Sequence, residues 1–175
     1  GVANISGTGV VPAHRGRAAY ATGVRDTDAR VRLLTNFSGN QDDNALSRRV
    51  ALAQAQGGAD VIFTMLNAGR DGVTQVCREQ GRRQIGNVGD WVARDPKVFI
   101  GSAIADVSVG VFESVRDLQG GRFPANEIHR IGLAQREAVR LTMAPDVPAD
   151  VRGRIERVAA DIASGRLHVP TTFDG

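Results

Sequence analysis

The sequence predicts an α/β domain with a mainly parallel sheet flanked by helices, and three observations predict it. Short β-rich runs alternate with amphipathic helical stretches through the first half of the chain. The third run, ADVIFTML (59–66), is almost continuously apolar, as a strand covered on both faces must be. The connections are rich in Gly, Asn and Asp, which supply turns and helix caps. Strands separated by helices of this length form right-handed βαβ units.

The elements follow in order. VANIS (2–6) reads as a strand, and a Gly-Thr-Gly turn leads to a helix from Pro12 to Arg25, with proline in the first turn where no backbone donor is lost. RVRLLTNF (30–37) is the second strand. Asp42 or Asp43 caps a helix that runs to Gln56 and stops at Gly57-Gly58. After the apolar third strand comes a helix from Asp71 to Gln80, then strands RQIGNV (83–88) and KVFIGSA (97–103). Beyond residue 103 the rhythm changes. An amphipathic helix (106–119) ends at Gly120-Gly121, an irregular stretch carries one or two strands (IHRIGL, 128–133; AVRLTM, 138–143), and a last helix spans Ala149–Ser164. HVPTTFDG (168–175) closes the chain as an extended tail. Residues 1–103 therefore form a βα unit, and 104–175 add a helix, one or two strands and a C-terminal helix.

Composition narrows the function. With 175 residues, 42% of them hydrophobic, the chain can bury a core without metal or disulfide staples. No apolar run is long enough to cross a bilayer. The excess of Arg (Lys97 is the only lysine) is spread over every element beside Asp or Glu instead of clustering, which argues against nucleic acid as a partner. Cys77 lies on the apolar face of its helix and reads as a buried, inert thiol. His14, His129 and His168 lack metal-ligand spacing, so no metal is expected. SGTG (6–9) has neither dinucleotide nor P-loop spacing, and no G-x-S-x-G elbow is present, so no cofactor is expected either.

In a parallel sheet, ligands bind beyond the carboxyl ends of the strands. Four segments lie there: Ser6 to Gly9, Asn36 to Asp43, Asn67 to Asp71 and Asn87 to Trp91. Glycines let backbone approach a ligand, amides read donors and acceptors, carboxylates grip hydroxyls or amines, and an indole stacks on a ring. Asn67, Asp90 and Trp91 are the leading candidate contacts, with Asn40, Gln41, Gly69 and Asn87 behind them.

The order of these motifs resembles one family. GTGVVP (7–12), GADVIF (58–63), Gly72-Val73 opening a helix, Ile85-Gly86 before an acidic loop, and a closing helix followed by Gly165 and Val169-Pro170 are similar to the basic membrane protein family. Those are PnrA-like substrate-binding lipoproteins of ABC importers. The resemblance implies the type I periplasmic-binding fold, in which two lobes joined by crossing segments hold ligand between them. This chain resembles the second lobe and the crossing segments, so a first lobe of the same protein is expected to be missing, in keeping with a start inside a strand at Gly1.

The resemblance also implies a non-enzymatic receptor for a small polar or heteroaromatic solute, with nucleoside or purine the leading ligand. It would be periplasmic or cell-surface, lipid-anchored, and partnered by an ABC permease in the membrane. Three positions depart from the nucleoside-binding pattern. Gly39-Asn40-Gln41-Asp42-Asp43 has Gln41 where a stacking Phe stands. Ile85-Gly86-Asn87-Val88-Gly89-Asp90-Trp91 keeps only the second acid, and Ala105 aligns with a lysine. Two alternatives stay open: a ligand-sensing regulatory domain of the same fold, and an α/β enzyme using Asp90 with a second carboxylate.

Overall fold

A computed structural model describes residues 1–172. The last three residues of the expected extended tail lie outside the described residues.

The α/β expectation holds. Six strands form one sheet: β1 (Val2–Ser6), β2 (Leu33–Phe37), β3 (Val61–Met65), β4 (Arg83–Val88), β5 (Phe99–Ala105) and β6 (Val139–Met143), in spatial order β2-β1-β3-β4-β5-β6. The pairs from β2 through β5 are parallel, and β6 adds antiparallel to β5, with Gly101 opposite Met143 and Ala105 opposite Val139. The order reverses direction between β1 and β3, which makes that junction the switch point where a crevice opens in sheets of this kind.

Helices α1 (Val11–Thr27), α2 (Asn44–Gln56), α3 (Arg70–Glu79), α4 (Val107–Gln119) and α5 (Ala149–Ala163) fall close to the expected spans. Asp43, not Asp42, caps α2 by accepting from the Leu46 amide at 2.9 Å. The Gly57-Gly58 stop works because Gly58 takes φ +93, a conformation open to glycine without cost.

Alternation along β3 assigns the two faces. Ile62 and Thr64 are fully buried and join Ala51, Ala55, Val73, Val76 and Cys77 in the core under α2 and α3. Phe63 and Met65 point the other way, where the Phe63 ring meets Tyr20 of α1 at 5.1 Å and Met65 fills the space left by Gly16. Each large aliphatic side chain removed from water in this way contributes about 1.5–3 kcal/mol. Burial pushes the Cys77 thiol up to about 12, so it stays protonated and inert, as its place on the apolar face implies.

Several buried polar side chains cross-link the sheet and its helices. Gln84 accepts from Thr74 Oγ1 at 2.9 Å and donates to Thr64 Oγ1 at 3.1 Å, which in turn donates to the Ile85 carbonyl. Gln54 donates to the Asn4 carbonyl and to Asn36 Oδ1, pinning α2 across β1 and β2.

α1 also carries a glycine with no packing reason. A Cβ at Gly23 would meet nothing within 4 Å. Gly23→Ala is therefore expected to stabilise the full-length protein by about 0.5–1 kcal/mol through helix propensity and a less flexible unfolded chain, read as a raised urea midpoint.

Two features lie beyond the compact sheet. Among the described residues α4 buries no side chain, and Val107, Val111, Phe112, Val115 and Leu118 on it are all at least half exposed. Of the two strands considered between residues 120 and 143, only β6 forms. IHRIGL (128–133) does not pair: Ile128 is 83% exposed, and Ile131 turns onto Gly110 of α4 instead of a sheet edge. No helix among the described residues is long and apolar enough to cross a membrane.

Candidate functional site

Beyond the carboxyl ends of β1, β3 and β4 lies a cleft of about 540 Å³. Its walls bring together Gly7, Gln41, Asn67, Arg70, Asn87 and Trp91, with apolar surface from Val10, Met65, Leu66 and Val88.

The loop after β2 is folded onto this edge by its backbone. The Gln41 carbonyl accepts from the amides of Asn67 and Gly69, both at 3.0 Å, and Asp42 Oδ1 accepts from the Ala68 amide. Gly7 allows the approach, since a Cβ there would stand 2.1 Å from Gln41 Cγ. Gln41 donates from Nε2 to Thr8 Oγ1 at 3.3 Å, so its amide is shared between the loop after β1 and the cleft.

Trp91 sits in a built seat. Its amide donates to Ser102 Oγ at 3.0 Å and its indole N–H to the Asn87 carbonyl at 2.9 Å. Gly86 leaves the room behind it, and Phe99 packs at 5.7 Å between ring centroids. The guanidiniums of Arg70 and Arg94 lie over the indole at 4.1 and 4.4 Å. The ring is thus already stacked with cations, a cation–π arrangement that orients both groups.

Just before Trp91, Val88 takes φ +69, and the Gly89 amide donates back to the Asn87 carbonyl across it at 2.9 Å, as in a γ-turn. That region is strained for a β-branched residue, at about 1–3 kcal/mol, and such strain concentrates at ligand sites.

Three candidates do not line the cleft. Asn40 spends its side chain on the Asp42 amide. Gly69 is buried where a Cβ would stand 2.8 Å from the Gln41 carbonyl oxygen, and its own carbonyl accepts from Ser47 Oγ. Asp90 accepts from the Ala93 amide and from Thr142 Oγ1, both at 3.0 Å, which ties the loop to β6. Ala105 ends β5 beside α4, along a separate groove of about 680 Å³.

A family model described as ABC transporter substrate-binding protein PnrA-like matches residues 5–171. The chain belongs to that family. No curated protein matches it significantly. Similar solved structures include an ABC transporter solute-binding protein from Aeropyrum pernix K1 (18% identity, TM-score 0.77), with 97% of this chain and 57% of that one covered. One from Conexibacter woesei DSM 14684 has 20% identity and TM-score 0.77, covering 99% and 58%. A third is described as a transcriptional activator of the comK gene from Bacillus halodurans, with 17% identity, TM-score 0.81 and coverage of 95% and 57%. These likenesses establish the periplasmic-binding-protein-like fold, and the chain spans less than two thirds of each structure's length.

For a PnrA-like chain, the most informative residues of the cleft are two that the sequence reading did not single out. Arg70, the first residue of α3, is only 6% exposed. Its Nη2 donates to the Leu66 carbonyl and to Asn87 Oδ1, each at 2.5 Å, while its Nε is buried without an acceptor. Burial pulls its pKa down to about 10, with Asp71 acting against the shift and Arg94 adding to it, so it remains a cation at neutral pH. Arg94 is exposed at the cleft's outer wall. The available signal was an arginine opening a helix just past a nearly all-apolar strand and a short Asn-Ala-Gly loop.

Proposed function

We propose that this chain is the second lobe, with crossing and C-terminal segments, of a non-enzymatic solute receptor of an ABC importer. The receptor closes on a small polar or heteroaromatic ligand, and purine or nucleoside compounds are the first class to test. The observation that carries this reading is the cleft at the β1/β3 switch point, walled by amides and an indole, in a chain of a substrate-binding family. Asn67, Asn87, Gln41 and Trp91 supply the contacts. Asn40, Gly69 and Asp90 shape the loops that hold them.

A first lobe of the same protein supplies the opposite wall. Its presence is supported by the uncovered apolar face of α4 and by the length of the similar structures. Ligand then favours the closed arrangement because only that arrangement touches it from both sides, and a membrane permease reads the closed form. Such a receptor works outside the cytoplasmic membrane, held there by a lipid anchor.

In the full-length protein, a purine, a nucleoside or an acidic derivative of one is expected to raise the unfolding temperature, equivalent to about 2.7 kcal/mol when ligand reaches a hundred times its Kd. Asn87→Ala should weaken that response. No stabilisation by any of these compounds removes the nucleoside version. The solved structure described as a transcriptional activator supports a second reading, a ligand-sensing regulatory domain. Specific DNA binding by the full-length protein would decide for it.

A further inference from the structure

We infer that the ligand of this cleft carries an acidic group, a carboxylate or phosphate, which Arg70 and Arg94 hold; the inference rests on the receptor reading above. The walls of the cleft contain two guanidiniums and no Asp or Glu. Several arginines elsewhere in the chain are held by acids, among them Arg30 by Asp28, Arg48 by Glu79, Arg78 by Asp95 and Arg83 by Asp146. Neither Arg70 nor Arg94 has an ion-pair partner among the described residues.

The nearest acids are otherwise placed. Asp90 is bonded to Thr142 and the Ala93 amide, and Asp71, the next residue along α3, does not line the cleft. A guanidinium left nine-tenths buried and unpaired is costly unless something compensates it.

The details around Arg70 orient its charge without cancelling it. Its hydrogen-bond acceptors are both neutral, the Leu66 carbonyl and the Asn87 side-chain amide, and its Cζ lies 4.1 Å from the Trp91 ring centroid. Nε is buried with no acceptor, so the protein leaves that donor unmet, and the guanidinium is the group that carboxylates and phosphates engage side by side. The start of α3 offers no competing anion site. The amides of Arg70, Asp71 and Gly72 already donate to the Asn67 carbonyl, the Ala68 carbonyl and Asn44 Oδ1. An anion here is held by side chains.

The test compares matched compounds on the full-length protein by thermal shift and calorimetry: adenosine with adenosine 5′-monophosphate, nicotinamide with nicotinate, uracil with orotate. Native mass spectrometry of protein purified from its own cells runs alongside. The expected result is that the acidic member of at least one pair binds roughly tenfold or more tighter than its neutral mate. Arg94→Gln, a change at an exposed residue, should remove that advantage, bringing the acidic and neutral members of the pair to within about twofold of each other. Arg70→Lys, which keeps the charge but loses the fork, should weaken the acid and leave the fold intact.

Phosphate and carboxylate sources separate by which pair responds. Neutral compounds binding as tightly as acidic ones, or a neutral molecule carried through purification, would overturn the anion reading and leave the receptor reading standing. Unchanged acid binding in Arg94→Gln and Arg70→Lys would overturn it too, showing that these arginines do not hold the acidic group. Binding of no compound, with no small molecule carried by the purified protein, overturns both readings.

Discussion

Gly72→Ala is expected to destabilise the full-length protein by about 3 kcal/mol, at the upper end of the usual cost of overpacking. A Cβ on Gly72 would stand 2.2 Å from the Asn44 carbonyl oxygen, 2.7 Å from Ser47 Oγ and 3.0 Å from the Asn44 carbonyl carbon. Two of those atoms are backbone of α2, so no rotamer change relieves the clash. The helices must separate, and that withdraws Ala51, Val73 and Val76 from a core in which all three are fully buried. It also breaks the bond from the Gly72 amide to Asn44 Oδ1 and strains the one from Ser47 Oγ to the Gly69 carbonyl. Urea unfolding should show a lower midpoint at unchanged slope, the pattern of lost stability without a changed unfolded state. Gly23→Ala, where the new methyl finds open space, moves the midpoint the other way. A near-neutral Gly72→Ala would mean that α2 and α3 do not cross this closely.

Much of the fold was legible because it is locally determined. The alternation of β-rich and helical runs, the Asp43 cap and the Gly57-Gly58 stop each depend on residues within a few positions of one another. What escaped depends on distant partners. IHRIGL has strand-like composition, but a strand needs an edge to pair with, and its Ile131 finds α4 instead. Asp90 sits in an acidic loop at a strand end, where a carboxylate reads as a ligand contact. Its partner Thr142 is 52 residues away on β6, and that bond is invisible until the sheet is assembled. Arg70 was overlooked for the converse reason. Arginine is ordinarily a surface residue, and its burial here is made by Asn87, 17 residues on, and by the indole of Trp91.

The same long-range dependence gives the second large expected effect, in Gly86→Ala. A Cβ on Gly86 would lie 2.4 Å from Cδ1, 2.7 Å from Cγ and 3.0 Å from Cβ of Trp91. The rigid indole must leave its seat, and it takes with it the bond to the Asn87 carbonyl and the surface on which Arg70 and Arg94 rest. The expected cost is about 2 kcal/mol of stability from overpacking within the sheet, and at least a tenfold loss of ligand affinity once both arginines are no longer oriented.

Trp91 is the only tryptophan of this chain, so displacement should appear as red-shifted emission as the indole gains water. Gly89→Ala is the matched control in the same loop: its Cβ would meet only Trp91 Nε1, at 3.8 Å, an ordinary contact. If both variants behave alike, general loop damage explains the loss. If Gly86→Ala alone shifts the emission and loses ligand, then the function depends on where the indole is held, because it sets the direction of two unpaired cations across the mouth of the cleft.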